Sequence, residues 1–176
     1  GHLAWLDMDR DGAEYWAAME LAGEFAAANH EIIHRRYAQA LGIQPFRVIE
    51  NHHNFAWRET IIVDDTPTEA IVHRKGATPA GQGVWGIIPG SMATPGYVVT
   101  GRGYAPALNS ASHGSGRLMS RTKAKQNIDP LEVKRKLKAA GVTMIGGGLD
   151  EAPQAYKDSA AVIEAQGDLV RIEAVL

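Results

Sequence analysis

Three short stretches hold most of the side chains able to do chemistry. The richest is Asn109-Ser110-Ala111-Ser112-His113-Gly114-Ser115-Gly116-Arg117-Leu118-Met119-Ser120-Arg121. A histidine followed by Gly-x-Gly lets a phosphate approach the backbone closely, because glycine carries no Cβ. Arg117 adds a planar guanidinium fork matched to phosphate oxygens. In such a loop His113 is a candidate nucleophile toward phosphorus, forming a phosphoramidate, or an acid/base group of a phosphate-handling site. The second stretch is Asn51-His52-His53-Asn54 at the end of a strand. Neighbouring residues of a strand face opposite ways, so at most one of the two histidines serves a given site. Neutral imidazole ligates divalent transition metals, and the asparagines can orient it or hold a substrate; a structural histidine is the competing reading. The third, Ile88-Pro89-Gly90-Ser91-Met92-Ala93-Thr94-Pro95-Gly96, combines two prolines, two glycines and two hydroxyls, and its amides suit an anion. It has no Walker A lysine, and Gly90-Ser91-Met92 does not complete a Gly-x-Ser-x-Gly elbow, which leaves a plain turn as the alternative.

A fourth pattern, His30-Glu31-Ile32-Ile33-His34, has the letters of a zinc-protease helix: two imidazoles one turn apart with a glutamate as general base. That chemistry needs a cleft and a third ligand. Helical phase instead sets both histidines away from the apolar stripe of Ala18, Leu21, Phe25, Ala28 and Ile32, so solvent-facing polar residues are the preferred reading.

The elements that must position these residues follow from period and punctuation. Residues 12–41 lack proline and predict one long amphipathic helix, with Asp11 as N-cap and Gly42 as its stop. The β-branched runs 47–50, 59–63, 70–74, 84–88 and 97–100 predict strands joined by Asp-Asp, Thr-Pro, Gly-x-Gly and Pro-Gly turns. Asp129, Pro130, Glu132 and Gly141 delimit a second helix, Asp158 and Gly167 a third, and residues 142–145 and 169–176 predict further strands. The fold class is therefore α+β, with a long N-terminal helix, central mixed or antiparallel strands and two shorter helices.

The 176 residues suit one domain, and 45% hydrophobic with 22% charged residues is ordinary globular composition. With no cysteine, disulfides, thiolate zinc sites and cysteine nucleophiles are excluded within the chain. The sequence offers neither an apolar run of membrane-spanning length nor a secretory leader, and is read as soluble and cytoplasmic, with no membrane partner. The net charge of −2 hides a basic island, since residues 101–140 carry nine basic and two acidic side chains. An anionic ligand is expected there, although Lys134–Lys138 also suit a solvated helix face.

Several segments, in order, resemble the RtcB family of RNA-splicing ligases: Asn51-His52-His53-Asn54, His73-Arg74-Lys75-Gly76-Ala77-Thr78, Ile88-Pro89-Gly90-Ser91-Met92, Ser112-His113-Gly114-Ser115-Gly116-Arg117-Leu118-Met119-Ser120-Arg121 and Ala155-Tyr156-Lys157-Asp158. Leu3-Ala4-Trp5 and Ala28-Asn29 match that family's middle section, so the resemblance covers the whole chain as a C-terminal portion. It implies a GTP- and Mn2+-dependent ligase that joins RNA ending in a 3′-phosphate or 2′,3′-cyclic phosphate to a 5′-hydroxyl end, in tRNA splicing or RNA repair. His113 would be guanylylated and pass GMP to the RNA 3′-phosphate. His53 would be a manganese ligand and Asn54 a nucleotide contact. Pro89, Gly90, Ser91, Met92, Gly96, Gly114, Ser115, Gly116 and Arg117 would line the nucleotide site, with Tyr156 near the guanine.

The departures are specific. The family usually has Gly-Ala-Gly after the histidine, where Ser115 intervenes here, and a serine where Gly96 stands, which removes one hydroxyl contact. The resemblance also implies a missing N-terminal half carrying an aspartate, a cysteine and two further metal-ligand histidines, and a C-terminal lysine beyond Leu176. The alternative is a noncatalytic nucleotide- or RNA-binding fragment that needs that half. The RNA itself, tRNA halves or broken RNA, is not specified by the sequence.

Overall fold

The computed structural model describes residues 4–176; Leu3 lies outside them. The chain divides into two compact units, Gly1–Val48 and Ile49–Leu176. The first unit is dominated by α1 (Asp11–Leu41). Asp11 is not its cap: Arg10 holds that position without a side-chain bond, and the Asp7 carbonyl accepts the amides of Arg10 and Gly12. Gly12 is needed there, because a Cβ would stand 2.5 Å from that carbonyl oxygen. The helix stops as predicted at Gly42, whose φ of 66° lets its amide and that of Ile43 reach back to Gln39 and Ala38. Ala18, Leu21, Phe25, Ala28 and Ile32 are all exposed, contrary to the expectation that this stripe packs, because among the described residues the unit supplies no second helix or strand to cover it.

The second unit is built from antiparallel pairings, which settles the mixed-or-antiparallel alternative. Strands β1 (Asn54–Val63) and β2 (Thr66–Lys75) form a ten-residue hairpin. Its turn is Asp64-Asp65, both at positive φ, the arrangement that matches strand twist in a two-residue loop. Strands β3 (Ala77–Pro79) and β6 (Ser110–Ser112) pair with each other, and β4 (Trp85–Ile88), β5 (Tyr97–Gly101) and β7 (Val170–Val175) form a sheet with β5 central. Ile88, Tyr97 and Val99 on that sheet close one core with Ala111, Ile163 and Val170.

Three helices follow, where two were expected. Helix α2 (Arg121–Asn127) is capped by the Ser120 hydroxyl, which accepts the Lys123 amide; α3 (Pro130–Ala139) and α4 (Ser159–Glu164) have the predicted caps, Asp129 and Asp158. Ala124, Ile128, Val133 and Leu137 form a second core with Ala152 and Ala155. Residues 47–50 and 142–145, expected as strands, are irregular. The second segment is bounded by Gly141 and by Gly146-Gly147-Gly148, and its Ile145 side chain is fully exposed.

The hairpin is tied to β6 by a buried charge. Arg74, 3% exposed, donates to both Glu59 carboxylate oxygens at 2.6 and 2.9 Å, to Ser110 Oγ at 2.8 Å and to the Leu108 carbonyl at 2.9 Å, and lies over the Trp57 ring. Removing one partner leaves the other uncompensated. Arg74→Ala should therefore cost about 3–5 kcal/mol in urea unfolding; a loss below about 1 kcal/mol would show that the pair is dispensable.

Candidate active site

The hairpin and the β3–β6 pair bring the two distant histidine segments together. Chain leaving β2 turns at Gly76, whose φ of 70° suits glycine. Its amide donates to the His53 carbonyl at 3.0 Å and its carbonyl accepts the His113 amide at 3.3 Å. The His53 and His113 rings stack with centroids 4.7 Å apart and planes 22° from parallel. His52 instead stacks on Phe55 at 4.9 Å, so only one histidine of the Asn51–Asn54 segment faces His113. The Asn51 side chain donates to the Trp85 carbonyl at 2.7 Å, tethering this segment to β4 rather than standing open to a substrate. Asn54 begins β1 opposite Lys75.

The loop after His113 is pinned to the proline-glycine loop. Buried Ser115 donates from its amide to the Pro89 carbonyl at 3.2 Å, and its hydroxyl lies 3.4 Å from the same oxygen. Beyond Pro89, Gly90 is obligatory, because a Cβ would fall 2.2 Å from the Pro95 carbonyl oxygen. The Ser91 amide donates to Thr94 Oγ1, the Thr94 amide to the Ser91 carbonyl and the Ala93 amide to Ser91 Oγ. These three amides are thus spent inside the turn, and the Ser91 and Thr94 hydroxyls, which accept two of them, also bond to each other at 3.0 Å, so the loop keeps one hydroxyl proton to offer rather than the predicted amide cradle. Pro89, Gly90, Ser91, Met92 and Gly96 line a cavity of about 400 Å³ with Tyr156 and Glu151. A Cβ on Gly96 would meet nothing nearer than 3.6 Å, so the hydroxyl absent there has room.

Arg117 differs from its expected role as an open fork. It donates to the Met119 carbonyl at 3.1 Å, to Tyr156 Oη at 3.0 Å and to the Asp150 carbonyl, and pairs with Glu151. Tyr156 Oη in turn donates to Glu151, and the Arg117 guanidinium lies 4.9 Å from the Tyr156 ring centroid. Burial and that carboxylate push the Tyr156 phenol above its ordinary range, so it stays protonated at neutral pH. Arg121 is bound by Asp150 and Glu151, and its hydrogen bond is the main cause holding the Asp150 carboxyl below the usual carboxylate range. Sequence reasoning assigned no role to Gly76, Asp150 or Glu151, and counted Thr94 only as one of the two hydroxyls of its loop; Gly76 had a signal in its place within the His73–Thr78 run, whereas Asp150 and Glu151 had none.

Among the described residues no three His, Asp or Glu side chains converge as metal ligands. His30 and His34 stand 6.1 Å apart on α1, and among the described residues no third ligand joins them.

Half-buried His113 has its imidazole held below its ordinary value of 6.5, first by burial and then by the neighbouring His53, against a smaller upward pull from a backbone hydrogen bond. An unprotonated imidazole is the nucleophilic form.

The histidine-glycine loop thus carries His113 stacked on His53 and is pinned through Ser115 to Pro89, which lines a cavity with Ser91, Thr94 and Tyr156. The description "tRNA-splicing ligase RtcB" matches residues 1–176, and the chain belongs to that family. It is similar to "tRNA-splicing ligase RtcB" of Nanoarchaeum equitans, 35% identical over 190 residues that cover 91% of this chain and 39% of the relative. It is also similar to "RNA-splicing ligase RtcB" of Escherichia coli K12, at 36% over 90% of this chain and 41% of the relative, and of Mycobacterium tuberculosis, at 35% over 88% and 41%. The chain spans about two fifths of the length of these relatives.

The direction of the His113 shift fixes a pH signature. A lowered value means that the ring stays neutral as pH falls below 6.5, so any reaction needing the free imidazole keeps its acid limb below that value. In metal-free chain, histidine ring NMR should show His113 titrating below 6.5, and His53→Ala should move the midpoint toward 6.5 without reaching it, since burial is the larger cause. A midpoint above 6.5 in the unmodified chain would contradict this environment.

Proposed function

We propose that residues 1–176 act as one domain that supplies the covalent nucleophile of an RNA ligase, working with the remainder of an RtcB polypeptide. The observation that carries this reading is the His113 ring, held toward its neutral form and stacked on His53, on a loop that Ser115 pins to Pro89 of the cavity lined by Ser91, Met92 and Tyr156. His113 attacks the α-phosphorus of GTP; the nitrogen–phosphorus bond forms as the α–β bridge breaks and pyrophosphate departs. An RNA 3′-phosphate oxygen then displaces the imidazole, and the 5′-hydroxyl displaces GMP to seal the strand. Gly114 and Gly116 leave room beside the phosphate, the mutually bonded Ser91 and Thr94 hydroxyls retain one proton to donate, and Tyr156, held protonated, faces the base.

Manganese, when bound, would screen phosphate charge. The fit is partial: His53 supplies one imidazole, but the described residues furnish no complete donor set, so the other ligands would come from beyond the described residues. That same incompleteness favours a second reading, a nucleotide- and RNA-binding portion that reacts only when joined by the rest of the enzyme.

Labelled GTP with manganese separates the two. Acid-labile label on the chain alone supports an autonomous nucleophile, and label only after adding the preceding portion of a relative supports split catalysis. No label in either, with His113 intact, defeats the ligase reading. His113→Ala should abolish labelling while leaving the unfolding midpoint within about 1 kcal/mol of the original. Gly96→Ser, which restores a hydroxyl where there is space, should tighten nucleotide binding about two- to tenfold, the worth of one hydrogen bond; weaker binding by calorimetry would place the nucleotide elsewhere.

A further inference from the structure

A second cavity, of about 680 Å³, adjoins the first and shares Ser91, Thr94 and Tyr156 with it. Its other wall is one flank of α3, at Lys136, Ala139 and Ala140, facing the segment Pro153–Asp158. Two cations lie on this cavity. Lys136 and Lys157 have no carboxylate partner among the described residues, whereas Arg117, Arg121 and Lys125 of the same basic region are paired with Asp150 or Glu151. The single acid in the lining, Asp158, is occupied as the cap of α4, accepting the amides of Ala160 and Ala161. The cavity is therefore net basic at its rim and mostly apolar between.

Two details tie it to the reacting centre and to a polar ligand. The Lys157 amide donates to the Gly116 carbonyl at 3.0 Å, and its Cδ and Cε stand 3.8–3.9 Å from where a Cβ of Gly116 would be, so this side chain starts at the loop that carries His113. Gln154, in the cavity lining, has its amide nitrogen and oxygen both buried with no hydrogen-bond partner. A rotation of that amide offers a donor and an acceptor together, the pairing that nucleobase edges and ribose hydroxyls satisfy.

We propose that this second cavity is an RNA subsite, holding the ribonucleotide next to the reacting end with its phosphodiester between Lys136 and Lys157. The inference rests on the RNA-ligase reading for its choice of polyanion, which the relatives named RNA-splicing ligases support. The apolar stretch of Ala93, Leu118 and Pro153 suits a base or ribose face better than a free ion.

The test uses this chain and a short fluorescein-labelled single-stranded RNA with a 3′-phosphate, followed by anisotropy over a salt series. Lys136→Ala should weaken binding about three- to tenfold and reduce the slope of log affinity against log salt by about 0.7, the loss of one phosphate contact. Lys134→Ala removes the same charge from the other flank of α3 and should stay within about twofold. Equal losses in both variants, no loss in Lys136→Ala, no RNA binding by the unmodified chain, or competition by polyglutamate as strong as by RNA each overturn the subsite. GTP labelling of His113, measured in parallel with the rest of the enzyme supplied, keeps the two ideas apart. Labelling absent while Lys136-dependent RNA binding persists sinks the nucleotidyl-transfer reading alone, and labelling intact while Lys136→Ala binds RNA normally sinks the subsite alone.

Discussion

One residue with a left-handed backbone joins the parts that matter. Gly76 donates to the His53 carbonyl and accepts from the His113 amide, and the site exists because both bonds close on a single turn. A side chain at that position would be strained in itself and would stand beside the His113 ring, since the Cβ position lies 3.6 Å from Cδ2. The glycine is thus required by conformation first and by space second. The imidazole stack is a consequence of that corner rather than its cause, because two rings alone contribute little against the entropy of ordering two loops.

Outside the corner, the site is stiffened by hydrogen bonds that use up polar groups before any ligand arrives. The Ser91–Thr94 turn spends three amides on itself, and Ser115 spends its amide on Pro89. Arg117, Tyr156 and Glu151 satisfy one another, which leaves a neutral phenol rather than a bare cation beside the cavity. Preformed groups of this kind bind without a large ordering cost, and what they leave free is informative by contrast. Among the residues lining the second cavity the open cations are Lys136 and Lys157, whereas the Arg117 and Arg121 that the sequence singled out are paired with Asp150 or Glu151.

How much of this was legible in the sequence depended on distance along the chain. Caps are local, so Asp129, Asp158 and Gly42 marked helix ends correctly. Helix α2 was invisible because its seven residues bury only Ala124 and so carry no apolar period. Strands β3 and β6 are three residues each and pair Ala77 with Ser112, a contact that leaves no local pattern in either segment. His53 and His113 were legible as candidates by their asparagine and glycine surroundings. That Arg117 is spent internally was not, because its partners Asp150 and Glu151 lie in a segment with no chemistry of its own to draw the eye.

The Arg74 guanidinium fastens a hairpin strand to the Leu108 carbonyl and to Ser110, three residues before His113. A lesion at Glu59, with every histidine, hydroxyl and glycine of the cavity untouched, would therefore loosen the approach to position 113. In a genetic screen it would pass for an active-site mutation. Surveys that rank positions by phenotype would then draw the functional map too wide, enclosing a remote fastener along with the chemistry it serves.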